Sequence, residues 1–149
     1  MQILSGNINL EVQDFGFKTD TPLVMISGYG SQLVDWPKSF IDNLIKHKIR
    51  VIIFDNRDVG LSYKFSGKII EDPKLIWRYS YSREKLSKEI KKPKIPYTLT
   101  DMANDCLNIL NALDINKAHI LGTSMGGMIA QLVAFNHPDR CKSLSLIHI

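Results

Sequence analysis

Apolar positions along this chain follow two alternating rhythms, one of period two or continuous and one of period near 3.6. Ile8-Asn9-Leu10-Glu11-Val12-Gln13 switches between apolar and polar at each step, the pattern of a half-exposed strand at a sheet edge. A turn over 14–21, around Gly16, leads into Pro22-Leu23-Val24-Met25-Ile26, a short apolar strand expected at the sheet centre. The glycine-rich loop Ser27-Gly28-Tyr29-Gly30-Ser31 follows, and Pro37 suits a first helical position. Phe40, Ile41, Leu44 and Ile45 share one helical face. The β-branched run Arg50-Val51-Ile52-Ile53-Phe54 reads as a buried strand and ends in turn-forming residues, Asp55-Asn56-Arg57-Asp58-Val59-Gly60. Met102, Cys106, Ile109, Leu110 and Leu113 mark an amphipathic helix, with Thr98 and Asp101 as a capping signal. A strand at 118–121, an apolar helix at 125–135 stopped by His137-Pro138, and a last strand at 143–147 complete the pattern. Strands alternating with helices through short loops predict a mostly parallel α/β sheet with flanking helices. Ligands of such sheets bind at the carboxyl ends of the strands, where the turns at 27–31, 55–60 and 122–127 fall.

One stretch interrupts this alternation. Residues 63–96 hold ten Lys or Arg against four acids, a charge of +6 within a chain whose net charge is +4. No aromatic-interleaved recognition motif accompanies the charge, so the stretch reads as a basic surface insertion, not as a nucleic-acid or membrane patch. At 149 residues, 44% hydrophobic and 23% charged, the chain is one globular domain with enough length for a core. Cys106 and Cys141 lack metal-ligand or C-x-x-C spacing and read as small buried hydrophobes. With no basic-then-apolar leader and no bilayer-length apolar run, the expected location is cytoplasmic.

The candidate chemistry lies in Gly122-Thr123-Ser124-Met125-Gly126-Gly127. A bare G-x-S-x-G is common by chance and can be a loop that merely needs small residues. Between an apolar strand and a buried helix it reads as a nucleophile elbow, a turn that strains the serine backbone and lifts its hydroxyl clear of the sheet. Gly122 and Gly126 let strand and helix approach closely. The Met125 N–H, in the first turn of the helix, faces where an oxyanion would develop.

Ser27-Gly28-Tyr29-Gly30, the D-N-R-D-x-G-x-S turn at 55–62, Tyr97-Thr98-Leu99 leading a helix, and the elbow together resemble the α/β-hydrolase fold superfamily. The turn and the S-M-G-G elbow are similar to a bacterial carboxylic-ester hydrolase group that includes methylesterases of polyketide tailoring. The resemblance implies Ser124 as nucleophile, with the Tyr29 and Met125 N–H groups as oxyanion hole, and a small ester-like substrate with no metal or organic cofactor. Many members carry His-Gly where this chain has Ser27-Gly28. Dehalogenases and epoxide hydrolases of the fold place Asp at the elbow and are disfavoured. Thioesterases, carbon–carbon bond hydrolases and cofactor-free haloperoxidases share the serine and stay open. A non-catalytic binding protein on the same fold is the rival reading. The 55–62 turn reads as mainly structural, with Arg57 and Asp58 pinning loops.

A serine nucleophile needs a histidine and a carboxylate, which follow it in chain order in this fold. His137 beside a helix-stopping proline, His47 at a helix end and His119 in a core strand read as structural, and His148 comes too early for the family's histidine. The acid and base are therefore expected beyond residue 149, making 1–149 a C-terminally incomplete hydrolase domain, inactive alone. The tail Leu144-Ser145-Leu146-Ile147-His148-Ile149 also resembles the conceptual translation of a transposon end used as a sequencing adapter. That likeness points to a reading frame that ended with a sequenced fragment.

Overall fold

The computed structural model describes residues 1–65 and 95–147. The chain divides into two compact units, 1–64 with 99–149, and 65–98. In the second, the Phe65 and Tyr97 rings lie tilted with centroids 5.1 Å apart. The basic insertion expected at 63–96 falls mainly on residues 66–94, outside the described residues.

The first unit is a sheet covered on both faces. Its strands are β1 (Gln2–Ser5), β2 (Ile8–Phe15), β3 (Thr21–Ile26), β4 (Ile49–Phe54), β5 (Ala118–Thr123) and β6 (Cys141–Ile147), in the spatial order β1-β2-β4-β3-β5-β6. The β1–β2 and β2–β4 pairs are antiparallel, and β4–β3, β3–β5 and β5–β6 are parallel. The helices are α1 (Lys38–Lys46), α2 (Leu99–Ala112) and α3 (Met125–Asn136), with single 3-10 turns at Leu33–Asp35 and Pro138–Arg140. β3, β4 and β5 are the apolar runs, and burial on both faces is why they read as continuous instead of alternating. Met25, Val51, Ile53 and Leu121 share one face with Leu33 and with Ile41 of α1. Val24, Ile52 and Ile120 are buried on the other. α2 packs against β1 and α3.

Three expectations need correction. Ile8–Phe15 is not an edge strand. β1 pairs with it, Gln2 opposite Glu11 and Ser5 opposite Ile8, and β1 takes the edge. The half-polar alternation of β2 comes from Asn9, Glu11 and Gln13, which share one face, where Glu11 takes bonds from the Met1 amino group and Gln2 of β1. Asp14 follows Ile8, Leu10 and Val12 on the other face and takes a bidentate pair of bonds from the buried Arg50 of β4 at 2.9 and 2.7 Å. Cys106 is buried, but Cys141 is only half-buried at the head of β6, its Sγ 3.2 Å from Ser143 O. His119 is half-buried instead of core, its Nδ1 2.7 Å from Ser143 Oγ on the neighbouring strand. Among the described residues β6 is the outermost strand on that side of the sheet. Among the described residues no helix is long and apolar enough to cross a membrane.

Candidate active site

β5 ends at Thr123 and α3 begins at Met125, so the chain reverses across Ser124 alone. Ser124 takes φ 51° and ψ −120°, a region that non-glycine residues seldom enter. Such a conformation costs on the order of 1–3 kcal/mol and persists only where its surroundings over-determine it. The Ser124 N–H donates to Ile147 O at 3.0 Å, and the Gly127 N–H donates to Ser124 O at 2.9 Å. Close packing does the rest. A Cβ on Gly122 would overlap Gly126 O and stand 2.7 Å from Gly127 Cα. A Cβ on Gly126 would overlap Ile26 O and stand 2.7 Å from Ser27 O. The start of α3 therefore rests directly on the end of β3, and the serine side chain is left exposed.

The loop after β3 approaches from the other side. A Cβ on Gly28 would lie 3.3 Å from Ser124 Cβ and 3.8 Å from its Oγ. Ser27 and Gly28 are buried, whereas Tyr29 is 87% exposed and Gly30 takes φ 72°. Among the described residues neither the Tyr29 N–H nor the Met125 N–H is used in a backbone hydrogen bond. For Met125 that follows from its place in the first helical turn, whose donors have no partner within the helix.

The turn after β4 meets the loop after β3 through two adjacent buried side chains. The Asp55 carboxylate accepts the Leu33 N–H at 2.7 Å and the Leu61 N–H at 2.9 Å. The Asn56 amide donates to Ser27 O at 3.1 Å. Gly60, at φ 50°, lies so close that a Cβ there would overlap the Asp55 carboxylate. Arg57 points away from this cluster. Its guanidinium bonds both Asp105 oxygens of α2 at 2.7 Å each, and Ser5 Oγ of β1 donates to Asp105 Oδ1 at 2.5 Å. The Asp55 and Asn56 contacts were not legible in the sequence, where the turn reads only as turn chemistry. The available signal was a carboxylate followed by a donor amide at a strand's carboxyl end.

No described imidazole is bonded to Ser124. His47 Nδ1 lies 2.8 Å from Asn43 O at the end of α1, His119 faces Ser143, and the His137 backbone N–H ends α3 on Val133 O at 2.9 Å. His148 lies outside the described residues. No group of three or more His, Cys, Asp or Glu among the described residues is arranged to hold a metal ion. The structure thus sets an exposed serine in a strained turn with a glycine backbone against it; the Met125 N–H opens the helix that follows the serine, and the Tyr29 N–H follows that glycine in its loop. Such donors can stabilise negative charge developing beside the serine.

A model of the alpha/beta hydrolase fold matches residues 21–149. Rhodomycin D methylesterase DauP of Streptomyces sp. strain C5 is 28% identical over 145 residues, 97% of this chain and 40% of that protein. Rhodomycin D methylesterase DnrP of Streptomyces peucetius is 26% identical over 145 residues, with the same coverage, 97% and 40%. A hydrolase from Pseudomonas aeruginosa PA01 of known structure superposes with a TM-score of 0.73 at 25% identity, covering 97% of this chain and 44% of that one. The chain therefore spans about two fifths of the length of the curated relatives it matches.

Proposed function

The chain belongs to the alpha/beta hydrolase fold family, and from that premise we propose that the full-length protein is a serine hydrolase that cleaves a small carboxylic ester through an acyl-enzyme on Ser124. The observation that carries the reading is the exposed Ser124 at φ 51°, with the Met125 N–H at the start of α3 and the Tyr29 N–H in the loop after β3 free of backbone bonds. Ser124 Oγ attacks the ester carbonyl as a base takes its proton. The tetrahedral oxyanion is held by the Tyr29 and Met125 N–H groups, which cost no reorganisation because they already stand without partners. Collapse expels the alcohol with the proton the base returns, and water then releases the acid from Ser124 by the same route in reverse. The methylesterase relatives support a small alkyl ester as substrate class.

The base that activates Ser124 comes from outside the described residues, since none of the described histidines reaches it. The fold's chain order of serine, acid and histidine places the acid and base beyond residue 149, so residues 1–149 alone are inactive in this reading, and serine-dependent turnover by them would instead make His148 the base. Ser124→Ala in the full-length protein should lower turnover of p-nitrophenyl acetate by on the order of a million-fold, the cost of losing a triad serine. A fluorophosphonate probe should label the parent and not the variant. Equal labelling of both would end the proposal and favour a non-catalytic binding role for the fold.

A further inference from the structure

We propose that Asn56 is a positioning residue for the oxyanion-binding loop, holding the Ser27–Gly28 peptide so that the following N–H, on Tyr29, faces Ser124. The inference rests on the serine-hydrolase reading above. Up to Gln32, whose N–H donates to Asp35 Oδ2 at 2.8 Å, the loop after Ser27 has little support of its own. Tyr29 is exposed, a Cβ on Gly30 would meet nothing within 4 Å, and the loop's internal bond from the Ser31 N–H to Gly28 O is long, at 3.4 Å. Its two ends are held by neighbouring side chains of one turn. Asn56, 2% exposed, donates to Ser27 O at its start, and Asp55 accepts the Leu33 N–H at its finish.

Ser27 O is held from a second side as well, because Gly126 of the elbow packs against that same atom. The carbonyl therefore sits between the Asn56 amide and the first turn of α3. Its orientation sets the Ser27–Gly28 peptide plane, and Gly28 is the residue that abuts Ser124. A donor is required at position 56. A carboxylate there would present only acceptors to a carbonyl oxygen, and an alanine would leave that oxygen free to turn. Asp55 is a poorer probe of the idea, since it also holds the Leu61 N–H and closes its own turn.

The test compares Asn56→Ala and Asn56→Asp with the full-length parent, each checked for fold by near-ultraviolet circular dichroism. The measurements are kcat and KM for p-nitrophenyl acetate and the inhibition constant of phenylboronic acid, whose tetrahedral serine adduct places an oxygen in the hole. A hole displaced by a fraction of an ångström should cost roughly 10- to 100-fold in kcat. The boronate should lose affinity by a matching factor while KM changes less than about twofold, since the ground state does not use the hole. A variant that is merely less stable would keep the parent's kcat and boronate affinity below its unfolding transition, and that result overturns the proposal. If Asn56→Ala does not fold, Asn56→Ser, whose hydroxyl falls short of Ser27 O, carries the same comparison. Failure of the serine reading shows separately, as turnover that survives Ser124→Ala.

Discussion

Cys106 illustrates how one residue takes its chemistry from its surroundings. It lies on α2 with no exposed surface, and burial, with a smaller contribution from the neighbouring Asp105 charge, pushes its thiol from 9.0 up to about 12. Between those values the unfolded chain has lost a proton that the folded chain still holds. Unfolding therefore becomes easier as pH rises above 9, by up to about 1.4 kcal/mol per pH unit from this group. Below pH 9 both states are protonated and the contribution is flat. Urea unfolding of the parent and of Cys106→Ala across pH 8 to 10.5 should show the parent losing stability relative to the variant only in the upper part of the range. Lysines and tyrosines titrate in both proteins and cancel in the difference. Parallel curves would show that the thiol does not titrate as its burial requires.

Among the elements, the β4 turn is the hub. Arg57 leaves it to reach Asp105 of α2, which also accepts from Ser5 of β1, so three elements distant in sequence meet at one carboxylate. The pair is nearly dry, with side-chain exposures of 10% and 3%. Such a pair adds little net stability compared with apolar groups of equal volume, but removing one partner strands a buried charge. Arg57→Leu should accordingly cost about 3–5 kcal/mol, and Arg57→Leu with Asp105→Leu should recover most of that loss. Denaturant midpoints of the two single variants and the double variant measure the coupling. Additive losses would mean that the ion pair does not act as a unit.

At the scale of the whole molecule, the two margins of the sheet differ. β1 is four residues long, with alternate residues buried. β6 is seven residues long and among the described residues pairs with β5 alone, and Leu144, Leu146 and Ile147 on it are exposed. Beside it, α3 exposes Met128 and Phe135, which line an apolar groove of about 500 Å³ with Leu99, Gln131 and Leu132. An unpaired apolar edge offers its N–H and C=O groups to another chain. Expressed alone, residues 1–149 should self-associate across a concentration series in sedimentation velocity. Ser145→Lys, which places a charge on that edge, should weaken the association. A concentration-independent monomer would contradict the argument.

Local order in the sequence determined the features that depend on neighbours along the chain. Burial on both faces makes β3, β4 and β5 apolar runs, α1 and α2 keep a helical period, and the glycines around Ser124 mark the turn because only residues without a Cβ fit there. What only the tertiary structure decided depends on which strands and loops meet. β1 was invisible because four residues carry too short a pattern, and its place follows from its register against β2. His119 and Cys141 are more exposed than a core reading expects because both lie beside or on β6, the outermost strand on that side among the described residues. Asp55 and Asn56 have turn-forming side chains whatever they touch; their partners, Leu33 and Ser27, lie 22 and 29 residues away. A side chain's type limits which bonds it can make, but the fold alone brings a particular partner within reach, and so the loop beside Ser124 is organised by contacts that no periodicity records.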